Sequence, residues 1–206
     1  MHVDTQLEAA LRALDHWPRF RLRLFFEGIV VGILSGTVIS FFRWGLEMGT
    51  VWRQWVYANV LVGGSIFLNL AWFGVLLAAA LLLWRLGIYE PNAGGSGIPQ
   101  VKGVILGAIR MRGLRILWVK LVGGIVGIGL GLSLGREGPS IQIGAVTAQG
   151  LSRSLGRTRM EERYLITAGA SAGLAAAFNA PLAGVMFALE ELHRNFSGVV
   201  LAPSMA

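Results

Sequence analysis

Residues 54–84 read QWVYANVLVGGSIFLNLAWFGVLLAAALLLW, a run without a single charged side chain. As one helix this run would be about 46 Å long, which exceeds the roughly 30 Å hydrocarbon core of a bilayer. A tilted membrane-spanning helix from about Val60 to Trp84 fits these dimensions. The run therefore indicates an all-α integral membrane protein.

The composition of the whole chain agrees with a membrane protein. Of its 206 residues, 54% are hydrophobic and only 14% are charged, whereas a typical soluble domain carries about 25% charged residues. This composition excludes a disordered protein and argues against an ordinary soluble enzyme. Because the sequence contains no cysteine, a disulfide scaffold and a cysteine-based zinc site are also excluded.

Four further runs are free of charge. One covers 164–189, and three shorter ones cover 28–42, 121–135 and 138–152. The three short runs are too short for a comfortable upright crossing. Apolar pieces of about 15 residues, interrupted by glycine and proline, are typical of re-entrant or half-spanning helices.

The formal net charge of +7 indicates an orientation. In a soluble protein such a charge would suggest nucleic acid, but in an apolar chain it indicates arginine-rich cytoplasmic loops. Three basic clusters, at 12–23, 102–120 and 153–163, are therefore placed in the cytoplasm, and 43–53 outside. Residues 1–20 lack the pattern of a signal peptide. We expect them to form a cytoplasmic amphipathic helix that ends near Pro18.

Small residues recur every fourth position in two places. One stripe is Gly123, Gly127, Gly131 and Gly135, and a second stripe runs from Ala168 to Ala188. On helices such stripes allow close approach of two backbones, which replaces the hydrophobic effect inside a bilayer. They predict a tightly packed bundle and name no function.

The first candidate site is GGSGIP at 94–99. Proline favours a first helical turn, and the glycines permit unusual backbone angles. The free N–H groups of such a turn carry partial positive charge, and Ser96 adds a hydroxyl donor. An ordinary serine cap in a loop is the alternative interpretation.

The second candidate site is GREGP at 135–139, between two apolar runs. Ionisable residues inside a membrane are costly and are functional-site candidates by default. Pro139 indicates a helix start, so Glu137 would lie where backbone N–H groups attract an anion. A carboxylate there could occupy the anion site and leave it when protonated. A structural pairing of Arg136 with Glu137, or a helix-capping arrangement, is the alternative.

The third candidate site is NAPLAG at 179–184, followed by FALEEL at 187–192. Pro181 is expected to interrupt one long helix. Glu190 and Glu191 end the apolar run near His193, although an ordinary interfacial helix end would look the same.

One further pattern is misleading. GASAG at 169–173 matches the GxSxG pattern of hydrolases, and His193 follows it. That motif needs a turn between a strand and a helix, whereas the surroundings here predict an alanine-rich helix. A hydrolase and a nucleotide site are therefore disfavoured, and no metal site is expected.

Together the three sites resemble the CLC family of chloride channels and chloride/proton antiporters. The matching residues are GSGIP at 95–99, GREGP at 135–139 followed by SIQIGA, and AGLAAAFNAPLAGVMFALEEL ending at Leu192. The close match covers about 94–193. The resemblance implies a CLC-type inverted-repeat bundle with tilted and half-spanning helices. Residues 21–206 would form its first, N-terminal repeat.

The resemblance implies roles for individual residues. The anion-binding positions would be Ser96, Gly97, Arg136, Glu137 and Gly138, the last three through their backbone N–H groups. In the family, helix N-termini converge on a dehydrated chloride, and the serine hydroxyl contacts it. A serine at this position implies a preference for chloride over nitrate.

Two carboxylates would handle protons. Glu137 matches the gating glutamate, which competes with chloride for the outer site and takes up a proton from outside. Glu191 aligns with the inner proton-transfer glutamate of the antiporters. Its presence favours antiport over passive conduction.

The family subunit consists of two inverted halves, and this chain resembles the first one only. The backbone donors of the second half and the tyrosine that caps the central chloride are missing. We therefore expect an incomplete fragment that does not transport chloride alone. The expected function is chloride/proton antiport by the complete protein. A passive chloride channel and a non-transporting membrane subunit remain alternatives.

The resemblance also implies partners and a location. Chloride and protons would be the transported ions, and no cofactor, enzymatic activity or nucleic-acid partner is expected. The complete protein would be a homodimer in the cell membrane, with a cytoplasmic N-terminus. Part of the dimer interface would lie on the helices around 164–200.

Overall fold

The computed structural model describes the backbone of residues 2–193 and 203–205, and the side chains of those residues from 22 onward. Within these ranges the chain is helical and contains no strand. Seven α-helices follow one another: α1 (His2–Val56), α2 (Ile66–Tyr89), α3 (Ile98–Ile105), α4 (Gly113–Gly129), α5 (Glu137–Ser154), α6 (Arg159–Phe178) and α7 (Pro181–Phe187). Short π-helical segments cover Tyr57–Leu61 and Ala188–His193.

The first helix differs from the expectation. We expected a helix end near Pro18, but α1 continues through this residue to Val56. A proline removes one backbone donor at a cost of about 3 kcal/mol, and the rest of the hydrogen-bond ladder is kept. The run at 28–42 is therefore part of a long helix, and 43–53 is helix as well. The boundary between 1–20 and 21–206 remains a prediction, as does the cytoplasmic placement of residues 1–20.

The second helix lies near its predicted place. Instead of Val60–Trp84 it covers Ile66–Tyr89, because the chain turns at Gly63, which has φ 76°, before the helix begins. Its 24 residues give about 36 Å, enough to cross a bilayer. Among the described residues, two helical segments are long and apolar enough to cross a membrane, Leu22–Leu61 and Ile66–Tyr89. No residue of α2 is buried, as expected of a helix that faces lipid or another membrane segment.

Helices α5 and α6 form the centre of the described structure. Their interface is closest at Gly144 and Gly169, where a Cβ atom on either glycine would overlap the carbonyl oxygen of the other. A Cβ on Gly144 would also lie 3.1 Å from the Cα of Gly173. Such backbone-to-backbone contact is the expected packing mode in a bilayer.

The glycine stripe predicted at 123–135 is only partly correct. Helix α4 ends at Gly129, and Gly131 has φ 97° in the following turn, so Gly131 and Gly135 belong to no helical face. Gly123 faces Leu83 of α2. The backbones of α4 and α1 approach each other at Gly129, whose Cα would lie 2.9 Å from a Cβ on Gly49.

The break predicted at Pro181 is confirmed. Asn179 adopts the left-handed conformation with φ 54° and ends α6, and Pro181 begins α7. The second stripe of small residues is therefore divided between two helices. Residues 194–200, which belong to the predicted dimer surface, lie outside the described residues.

A charged cluster joins α1 to the other end of α6. Glu161 is 5% exposed, pairs with Arg23 and accepts a hydrogen bond from the backbone N–H of Thr158. Glu27 of α1 pairs with Arg157 in the loop before α6. Arg23 and Arg157 belong to two of the predicted basic clusters. Their ion pairs connect the turn between α5 and α6 to α1. The side chains of Arg12, Arg19 and Arg21 lie outside the described residues.

Candidate functional site

Two helix starts meet at the centre of the described structure. Gly97 precedes α3 with φ 86°, and Pro99 occupies the first turn of that helix. Helix α5 begins at Glu137. A Cβ on Gly138 would lie 2.9 Å from the Cα of Ser96 and would overlap its carbonyl oxygen. The two glycine-rich motifs that the sequence singles out are therefore packed backbone to backbone.

A cavity of about 500 Å³ opens at this junction. It is named the anion cavity, after the ion that the sequence predicts here. Its walls come from α2, the loop before α3, α4, and the start of α5. Its polar lining residues are Ser96, Lys120 and Glu137, and its glycines include Gly94, Gly95, Gly135 and Gly138. Its apolar lining includes Leu83, Leu86 and Val119.

Ser96 and Gly97 form the tip of the first motif. The Ser96 side chain is exposed at the cavity, whereas Gly97 is buried beneath it. A Cβ on Gly97 would lie 2.7 Å from Oε1 of Gln142, which is itself fully buried. The amide of Gln142 donates to the carbonyl oxygen of Asn92 at 2.8 Å. Gln142 therefore supports the loop from below, and Gly97 is required by both space and backbone angle.

Glu137 is the first residue of α5 and is exposed to the anion cavity. Its carboxylate folds back over Gly135, where no side chain would fit. Among the described residues the carboxylate has no hydrogen-bond or ion-pair partner. The predicted alternative of a structural pair between Arg136 and Glu137 is therefore wrong.

Arg136 points elsewhere. Its guanidinium carbon lies 5.7 Å from the centre of the Phe178 ring at the end of α6. Its carbonyl oxygen accepts the hydroxyl of Ser140 at 2.7 Å. The Arg136 side chain therefore takes no part in the lining of the cavity, and its predicted contribution is limited to its backbone N–H group.

Lys120 is a further residue at the cavity, and none of the three sequence motifs contains it. It was assigned to a cytoplasmic cluster, but it lies within α4, is 6% exposed, and lines the anion cavity. Its ammonium group donates to the carbonyl oxygen of Gly95 at 2.8 Å. The sequence signal for a buried charge was a single lysine between the apolar stretches ILWV and LVGGIVGIG. A buried cation attracts anions strongly because little water screens it.

We expect Lys120→Met to lower the affinity for chloride by about tenfold or more, since hydrogen bonds and contacts to a buried charge contribute about 1.5–3 kcal/mol. Chloride titration by calorimetry measures the effect. Arg112→Met is the matched control because it removes the same charge from an exposed residue at the start of α4. Equal chloride affinities of the Lys120 variant and the Arg112 control would contradict a contribution of the Lys120 charge to chloride binding.

Glu191 lies in a separate place. It belongs to the π-helical segment after α7 and does not line the anion cavity. Its carboxylate pairs with the ammonium group of Lys102 on α3 at 3.1 Å. The structure thus ties Glu191 to the helix that carries the first motif, and it does not bring Glu191 into contact with Glu137.

The NAPLAG turn has a partner that sequence reasoning missed. Arg43 of α1 donates to the carbonyl oxygen of Ala176 at 2.8 Å and to the side-chain oxygen of Asn179 at 2.7 Å. The first bond satisfies a backbone carbonyl that the end of α6 leaves free, and the second holds the side chain of the residue that ends this helix. Arg43 therefore holds the break that separates α6 from α7.

The hydrolase pattern has no catalytic geometry. Ser171 lies inside α6 and is buried, without the turn that such a nucleophile needs. His193 interacts with the Thr167 hydroxyl at 2.7 Å and stacks on Tyr164. The interpretation of 169–173 as helix packing is confirmed.

Comparison with known proteins points to one family. The family described as voltage gated chloride channel matches residues 74–206. The H(+)/Cl(-) exchange transporter ClcA of Vibrio cholerae serotype O1 is 38% identical over 177 residues, which are 83% of this chain and 37% of the relative.

Solved structures agree with this match. A slow cyanobacterial Cl-/H+ antiporter superimposes with a TM-score of 0.78 at 35% identity, over 89% of this chain and 43% of that one. A CLC-type fluoride/proton antiporter superimposes with a TM-score of 0.65 at 26% identity, over 89% and 45%. This chain therefore spans less than half the length of the proteins that it matches.

Proposed function

This chain belongs to the voltage-gated chloride channel (CLC) family, and we propose that it supplies one half of the anion pathway of a chloride/proton antiporter. The ClcA relative and the cyanobacterial neighbour are transporters of this kind by their names. We propose that the protein acts in the cell membrane as a homodimer and carries out transport without a cofactor or an enzymatic step.

One observation carries the proposal: Ser96, Lys120 and Glu137 line the same cavity at two helix starts. The first turns of α3 and α5 leave backbone N–H groups unpaired, and these groups favour an anion. The Ser96 hydroxyl can donate to the same ion. The Lys120 cation adds electrostatic attraction for the anion.

Glu137 would link chloride to protons. When ionised, its unpartnered carboxylate carries the same charge as chloride and competes for the same donors. Protonation removes that charge and leaves the donors to the ion. Movement of chloride and movement of protons are then coupled by competition at one site.

Glu191 would transfer protons on the inner side. Its side chain is 47% exposed, pairs with Lys102 and lies outside the lining of the anion cavity. A separate carboxylate allows protons and chloride to enter by different routes. This arrangement favours antiport over the passive channel that the sequence left open.

The experiment reconstitutes the protein, expressed from its complete reading frame, in liposomes. A chloride gradient should drive protons uphill, and Glu191→Gln should reduce that proton flux by at least about tenfold while chloride still moves. Glu190→Gln is the matched control at the neighbouring position. Chloride conductance without any proton movement in the unmodified protein would establish a passive channel instead.

The same assay tests the half-pathway interpretation. Liposomes that contain only these 206 residues should show no selective chloride efflux. Selective efflux that Ser96→Ala abolishes would show that the chain forms a complete pathway. Absence of flux from the complete protein as well would favour the non-transporting membrane subunit.

A further inference from the structure

A second polar cavity lies at the opposite end of α5 from Glu137. Its volume is about 300 Å³, and its charged and polar lining consists of Arg110, Gln149, Arg153, Arg159, Glu162 and Arg163. These residues come from the loop after α3, the end of α5 and the start of α6. About 24 Å of helix axis separate Glu137 from Arg153, so this arginine cavity is distinct from the anion cavity.

The arginine cavity carries an excess of positive charge. Arg153 pairs with Glu162 at 3.0 Å. In the part of the chain that the structure describes, Arg110, Arg159 and Arg163 have no ion-pair partner. Three arginines that line the cavity are therefore unpaired within the described residues, because the carboxylate of Glu162 is already engaged by Arg153.

The neighbouring acid does not neutralise this charge. Glu161, also in the first turn of α6, is engaged by Arg23 and by the N–H and hydroxyl groups of Thr158. The N-terminus of α6 adds partial positive charge of its own, which ordinarily favours acidic residues in the first turn. Arg159 in that turn is thus placed against the helix dipole, and Arg163 follows it in the second turn; an anion would offset both charges.

The arginines are also positioned by the backbone. The Arg163 guanidinium lies against Gly107, where a Cβ atom would be 2.7 Å from its Nη2, and Gly107 has φ 81°. The N–H groups of Ala108 and Ile109 donate to the carbonyl oxygen of Gly103 at 2.8 and 3.2 Å. This closed loop fixes the place from which Arg110 reaches the cavity.

We propose that the arginine cavity binds a phosphate group, from an anionic phospholipid headgroup or from free phosphate. Guanidinium groups match phosphate oxygens with paired, charge-assisted hydrogen bonds. The cavity lies at the ends of two central helices of a membrane protein, where basic pockets bind lipid headgroups. A single phosphate fits within its volume. This site is independent of the transported ion.

The test measures binding to the purified full-length protein in detergent. Phosphatidylglycerol, phosphatidylcholine and inorganic phosphate are added separately, and thermal unfolding reports saturable stabilisation. We expect phosphatidylglycerol or inorganic phosphate to stabilise the protein and phosphatidylcholine to have no comparable effect. Competition by millimolar inorganic phosphate would identify free phosphate as a sufficient ligand, and its absence would identify the lipid headgroup.

Variants separate a built site from general attraction. The double variant Arg110→Gln/Arg163→Gln should weaken binding by about tenfold or more. Arg163→Lys keeps the charge and should retain part of the affinity, which distinguishes lost binding from lost folding. Arg112→Gln removes a charge that lies outside the arginine cavity and should bind normally.

Two results would overturn the proposal. One is the absence of saturable stabilisation by both phosphatidylglycerol and inorganic phosphate. The other is an equal loss of binding in the Arg112 control and in the double variant, since that result would show attraction by net charge alone.

Discussion

Glu137→Gln is expected to reduce proton transport by at least about a hundredfold while chloride flux continues. Positioned proton-transfer groups raise the rate of proton transfer by about 10²–10⁴-fold. Glutamine keeps the size of the side chain at the start of α5 but can neither carry a proton nor compete as an anion. Because the carboxylate has no partner among the described residues, its removal breaks no ion pair, and folding should be unaffected.

The measurement records chloride efflux and proton uptake from the same liposomes over a range of pH. Chloride efflux should depend less on pH in the Glu137→Gln variant than in the unmodified protein. Glu47→Gln is the matched control, since Glu47 is an exposed carboxylate on α1. Retention of coupled proton flux in the Glu137 variant would show that another group carries the proton.

Gly144→Leu is expected to prevent assembly of α5 with α6. Even a Cβ atom at this position overlaps the carbonyl oxygen of Gly169 and would lie 3.1 Å from the Cα of Gly173. Overpacking ordinarily costs about 1–3 kcal/mol, and here the obstruction is backbone, which cannot turn aside. Separation of the two helices would also displace Ser35 of α1, whose hydroxyl donates to the Gly144 carbonyl oxygen.

Gly150 provides the control within the same helix. A Cβ atom there meets nothing within 4 Å. Gly150→Leu should therefore leave the protein as stable as the unmodified one or slightly more stable, since leucine favours a helix over glycine by about 0.5–1 kcal/mol. Size-exclusion profiles and thermal unfolding in detergent compare the two variants. A monodisperse Gly144→Leu protein with unchanged unfolding temperature would contradict the close contact.

The helix starts could be predicted from the sequence because their causes are local. Pro99 and Pro181 lie in the first turns of α3 and α7, as their chemistry requires. The neighbouring glycines supplied the backbone angles of the loop at Gly97. The motifs GSGIP and GREGP therefore indicated two helix starts, and the resemblance supplied the expectation that they act together.

Features that depend on contacts between distant segments could not be predicted in the same way. Lys120 belongs to a basic stretch by sequence, and only the packing of α4 beside the Gly95 loop shows that it is buried at the cavity. The bond from Arg43 to Asn179 joins residues of α1 and α6 that no local pattern connects. The regular spacing of Gly123 to Gly135 predicted a helix longer than α4, which ends at Gly129. A period of four residues does not show where a helix ends.

The most direct test of the account is the affinity for chloride in the unmodified protein and in Glu137→Gln, measured by calorimetry on the purified full-length protein. The central claim is that the Glu137 carboxylate and chloride compete for one site. If they compete, Glu137→Gln binds chloride more tightly, by about tenfold, and Glu47→Gln binds it as the unmodified protein does. Equal chloride affinities in the unmodified protein and in Glu137→Gln would contradict competition at this site.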